Sequence, residues 1–220
     1  MGLEAGKLIS KTLRSIALGL LLALCYALLS YPSDAERIPL LRMLIPESYG
    51  MTCHGNVCAE DASHLNEALS LYIDVKQDLS SGGVSLKYFE PNFLFCVTQE
   101  CFFRFVAPTE REDFSDTAAV AAPFFGTVIK PHVWNKNTVA HEMIHHIQYE
   151  HWMLHAYDMP QWMKEGMAYH HTKHNMEFMS QDIVDLVTHY KEWVGEKSLR
   201  EALDASTVWF NETSTTEAAH

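Results

Sequence analysis

His141 and His145 stand four residues apart in HEMIHH (141–146), with Glu142 between them, in a stretch from His132 to His189 that holds ten of the chain's thirteen histidines. One helical turn returns residues i and i+4 to the same face, so both imidazoles can address one metal ion. A tetrahedral zinc site takes three protein ligands and keeps a fourth position for water. Glu142 has no ligand duty in this spacing. It falls beside the open position, where a carboxylate can take a proton from bound water. The chemistry these residue types point to is metal-assisted hydrolysis. The bland alternative is a histidine-rich surface helix with a coincidental glutamate, so the elements that carry the residues decide the matter.

The helix bearing the motif is expected to start at Asn137 or Thr138, with Ala140, Met143, Ile144 and Ile147 as its buried stripe. Just before it, FFGTVIKPHV (124–133) has strand character, and Pro131 puts it at a sheet edge or just beyond one. A backing helix is expected from Asp61, carrying Leu65, Leu69, Tyr72, Ile73 and Leu79 at helical spacing and stopped by SSGG (80–83). Between these lie three β-rich runs, VSLKYF (84–89), FLFCV (93–97) and CFFRFVA (101–107), which read as an antiparallel meander. After the motif, QWMKEGMAYHHTKH (161–174) reads as a second helix with Pro160 in its first turn. A third is capped by Ser180 and closed by Gly195, and a short helix, SLREALDA (198–205), follows. The fold class expected is α+β with segregated helices.

The stretch PQWMKEGMAYHH (160–171) adds Glu165, twenty positions past His145, with Ala168 one turn later on the same helix face. HExxH followed by E-G-x-A at this distance resembles the gluzincins, zinc metallopeptidases whose third ligand is a glutamate on a second helix. The resemblance runs from about Asp61 to His174 and is to a small, minimal-core member. It implies a zincin-like domain with a backing helix, an antiparallel-rich sheet whose edge strand accepts an extended peptide, an HExxH helix and a glutamate helix. It also implies Zn²⁺ held by His141, His145 and Glu165, with Glu142 as the general base that activates zinc-bound water against a peptide bond. A rival third ligand is His151, six past His145 as in the metzincins. The metzincin turn needs glycine where this chain has Gln148, and a straight helix carries His151 about 600° round from His145. A reading from another class is a non-catalytic binding or assembly module that keeps the zinc helix for stability. The retention of Glu142 favours the enzyme.

The chain of 220 residues, 48% apolar, has room for one core, and its net charge of −12 without clustered Lys and Arg after Arg42 argues against nucleic acid or an anionic membrane surface as partner. Residues 15–31 carry no charge and follow Lys7, Lys11 and Arg14, which is the pattern of a membrane anchor with a cytoplasmic N-terminus and an extracytoplasmic domain, or of a secreted protein if the segment is cleaved. The expected organisation is an anchor over 1–31, a proline-bearing linker over 32–59, a peptidase domain over 60–205 and a flexible tail over 206–220. Four further cysteines form two pairs of equal spacing, Cys53 with Cys58 and Cys96 with Cys101. In an exported chain they read as two local disulfides, the second across a hairpin; a four-thiolate zinc is the competing reading.

Overall fold

The computed structural model describes residues 41–106, 118–172, 174 and 179–217. The apolar run 15–31 lies outside these residues, and among the described ones no helix is long and apolar enough to cross a membrane.

Five short strands form one sheet: β1 Thr52–His54, β2 Val57–Ala59, β3 Asn92–Phe95, β4 Ala119–Ala122 and β5 Gly126–Ile129, in the order β1-β2-β3-β5-β4. β2, β3 and β5 run parallel, while β1 and β4 pair antiparallel at the two edges. Parallel neighbours need crossovers. Helix α1, Leu65–Ser81, lies between β2 and β3, and helix α2, Gln99–Phe105, lies between β3 and β4. After β5 come four helices, α3 Lys136–Trp152, α4 Gln161–Thr172, α5 Gln181–Val194 and α6 Leu199–Glu217, with a 3₁₀ turn at Met153–Tyr157 between α3 and α4.

The expected antiparallel meander is therefore replaced by a mixed sheet with a parallel centre. CFFRFVA (101–107) fails as a strand because Thr98 caps a helix there, its hydroxyl accepting from the Cys101 N–H, and Cys101, Phe102 and Phe105 bury on one helical face. Tertiary packing overrides the β preference of its aromatic residues. VSLKYF (84–89) forms no strand, because the N–H groups of Lys87, Tyr88 and Phe89 all donate to the Glu150 carboxylate, at 2.6, 3.1 and 2.8 Å. The expected edge strand at 124–133 becomes β5, an interior strand; Pro131 lies past its end and costs no ladder bond. The real edge beside it is β4.

The central strands β2, β3 and β5 are buried on both faces, as a parallel centre requires. Phe93, Phe95 and Ile129 point into one core with Tyr72, Met143, Ile144, Met163, Met167 and Tyr190. Leu94 and Val128 point into the other, with Met43, Met51, Phe102 and Phe105. Two expected boundaries move accordingly. Residues 52–59, placed in the linker, form β1 and β2, and Met43 and Met51 are core residues. Residues 206–217, placed in the tail, continue α6, where Ser206 is fully buried and accepts a 2.7 Å bond from the Trp152 indole N–H. The local cysteine pairing holds: Cys53–Cys58 and Cys96–Cys101 are disulfides, the second joining the end of β3 to the first turn of α2 rather than two strands of a hairpin.

Candidate metal centre

Helix α3 is capped two or three residues earlier than the sequence suggests, by Asn135, whose side-chain oxygen accepts from the Thr138 N–H at 3.0 Å. Val139, Met143 and Ile144 bury against the sheet, and His146 docks the helix to the interior strand β5 through a 2.8 Å bond between its Nε2 and Thr127 Oγ1. Burial keeps His146 neutral, its pKa pushed down to about 3. It is a satisfied core histidine. His141 and His145 lie beside this buried stripe and face the first turns of α4.

Three predicted ligands meet there. His141 Nε2 and His145 Nε2 are 3.0 Å apart, and the Glu165 carboxylate reaches them at 3.3 and 3.5 Å. A tetrahedral zinc with bonds of 2.0–2.2 Å sets its ligand atoms about 3.3–3.6 Å apart. The donor set fits that ion: two imidazole nitrogens and one carboxylate oxygen, all within 4.8 Å of one another. Both imidazoles are buried. Burial alone would raise the Glu165 pKa, but His145 and His141 outweigh it and hold the carboxyl well below the usual range. Burial works against a charge on His145 too, and Glu165, Glu142 and Gln148 overcome it, lifting its pKa to about 9.

Glu142 is 6% exposed, and desolvation pushes its carboxyl up to about 7. It lines the same cleft as the three ligands, a space of about 540 Å³. Ala118 and the β4 residues Ala119 to Ala121 also line the cleft, with Tyr149, Tyr169 and His174. The Tyr169 ring lies 4.3 Å from that of His141. The site is thus a cleft that sets a buried carboxylate beside three donor side chains, with a sheet edge along its wall.

His151 is not part of it. Helix α3 stays helical through Gln148 to Trp152, and the His151 Nε2 bonds Thr207 Oγ1 of α6 at 3.0 Å. A second cluster, Glu60 with Cys96 and Cys101, also has closely spaced donors. The cysteines are oxidised to a disulfide, and Glu60 accepts from the Val97 and Thr98 N–H groups and the Thr98 hydroxyl. It is a loop clamp. Sequence reasoning missed Gln148, whose Oε1 lies 2.9 Å from His145 Nδ1, although its position three residues on along the same helix was a usable signal. It missed β4 altogether.

Comparison with protein-family models, with curated proteins and with solved structures finds no match to this chain.

Proposed function

We propose that this protein is a zinc-dependent peptidase of the gluzincin kind, held at a membrane by its N-terminal segment with the domain on the extracytoplasmic side. One observation carries the reading: two imidazoles from α3 and a carboxylate from α4 converge with donor atoms 3.0, 3.3 and 3.5 Å apart, close to tetrahedral ligand spacing, with the buried carboxylate of Glu142 on the same cleft. When bound, zinc polarises a carbonyl and lowers the pKa of water. Glu142 takes the proton of the attacking water and delivers it to the leaving amine. His141, His145 and Glu165 hold the ion and do not exchange protons with substrate. The two disulfides support an oxidising compartment.

Substrate entry follows from β4. This strand pairs with β5 on one side, and among the described residues no strand pairs with its other side. An extended peptide added there would run along Ala118–Ala121 and past Glu142. Peptide or protein is the substrate class this supports.

The test compares the zinc-loaded parent with Glu142→Gln on a quenched fluorescent protein such as casein. The parent cleaves it; the variant keeps stoichiometric zinc and loses turnover by about 10²-fold or more. A zinc-loaded parent without hydrolytic activity on protein or peptide libraries would sink the peptidase reading. A Glu142→Gln variant that still functions normally in cells would leave the binding module in its place.

A further inference from the structure

Gln148 is completely buried, one turn past His145 on α3. A buried amide left without partners costs about 1–3 kcal/mol per group, so an aliphatic side chain of the same volume would serve packing better. The amide is explained only by what it touches. Its Nε2 donates to the backbone carbonyl of Lys164 at 2.9 Å, and its Oε1 lies 2.9 Å from His145 Nδ1.

These two contacts determine each other. A carbonyl oxygen only accepts, so the amide end facing Lys164 is the NH₂. The end facing His145 is then an oxygen, which only accepts as well. His145 Nδ1 must carry the hydrogen, so the lone pair the ring can offer a metal is on Nε2, the atom that faces His141 and Glu165. The other arm reaches the residue immediately before Glu165. One side chain therefore selects the protonation pattern of a ligand on α3 and ties it to the turn of α4 that supplies the carboxylate. His141 has no such support: its buried Nδ1 has no hydrogen-bond partner among the described residues.

We propose that Gln148 is the positioning residue of this metal centre, presenting His145 Nε2 to the ion and linking that imidazole to the helix turn that carries Glu165. The inference rests on the metal-centre reading above and does not depend on hydrolysis.

The experiment uses the whole chain in mild detergent, with Gln148→Met and Gln148→Glu beside the parent. Two quantities are read: the zinc dissociation constant by chelator competition, and the His145 imidazole N–H proton in the NMR spectrum of the zinc-loaded protein. Methionine keeps the volume and removes both arms. It should weaken zinc binding about 10- to 100-fold and lose the exchange-protected N–H signal. Glutamate keeps an acceptor behind His145 but sets an oxygen against the Lys164 carbonyl. It should retain the protected N–H and lose less than about 10-fold in affinity. Gln148→Met binding zinc within about twofold of the parent, with the signal intact, overturns the proposal. So does Gln148→Glu behaving like Gln148→Met, since the loss would then come from disturbed packing. If Gln148→Met does not fold, Gln148→Glu against the parent decides alone: a retained N–H signal and affinity support the proposal, and their loss overturns it. A parent that binds no zinc defeats the metal centre itself, a different failure from a zinc-binding parent indifferent to Gln148.

Discussion

Removing the Glu165 carboxylate leaves two imidazoles and no anionic donor in the group, and one helix must then hold the ion unaided. Glu165→Ala should therefore lose zinc on dialysis against a mild chelator, while the parent retains one equivalent. His151→Ala removes a bond to Thr207, worth about 0.5–1.5 kcal/mol of stability, and should leave zinc stoichiometry unchanged. Metal lost from His151→Ala and kept by Glu165→Ala would mean that the donors in solution are not His141, His145 and Glu165. At this scale the site was largely legible. His141, Glu142 and His145 share one motif at helical spacing, and Glu165, singled out by a resemblance, lies 3.3 and 3.5 Å from the two imidazoles. Gln148 was legible only by its spacing from His145, not by its residue type. By type it reads as a solvated face, and only the arrival of α4 over it makes it buried.

The approach of α4 to α5 depends on Gly166. A Cβ there would lie 2.5 Å from Tyr190 Cβ and 2.8 Å from the Leu186 carbonyl, and neither atom is the end of a flexible chain. Gly166→Ala should cost about 1–3 kcal/mol or more in chemical denaturation, and it should weaken zinc as well, because Glu165 is the preceding residue. Unchanged stability would mean that the two helices sit further apart. The same interface carries a pH signature. The Tyr190 hydroxyl lies 3.0 Å from His171 Nε2 and can donate to the neutral ring; burial, with His170 nearby, holds the His171 pKa at about 4. The unfolded chain takes up this proton near pH 6.5 and the folded chain does not. The contribution is complete above about pH 6.5, falls as pH drops and levels off near 4. After allowance for partial exposure the loss is on the order of 1–2 kcal/mol. His171→Gln keeps an acceptor for Tyr190 and should flatten that part of the stability–pH curve; an identical slope in both proteins would remove His171 as its source. Helices such as α1, α3 and α5 were readable because their apolar spacing is long and regular. Of the strands, β3 and β5 were readable as β runs in FLFCV and FFGTVIKPHV, while β1, β2 and β4 were not. Four-residue runs carry too little periodicity, the aromatic richness of 101–107 points to β while Thr98 and the core make it a helix, and the alanines of β4 have little β propensity to announce it.

Across the whole molecule, the paired cysteines divide the thiols sharply. Labelling the native protein under denaturing, non-reducing conditions should modify Cys25 at most, since Cys53–Cys58 and Cys96–Cys101 are bridged. Labelling of four further thiols would defeat both the disulfides and the oxidising compartment they support. Overall topology was the least legible level, because parallel pairing is a relation between distant segments that leaves no mark within either one. Val57 pairs with Phe93, and Phe93 pairs with Thr127. The donor set, by contrast, lies within residues 141–165, on two successive helices joined by the 3₁₀ turn at Met153–Tyr157. Local contacts form before distant ones, because less chain must be searched to make them. An ion bound by these donors during folding would meet a nascent helical hairpin ahead of the completed sheet, and would act as a clasp on that hairpin while the slower strand pairing is still under way.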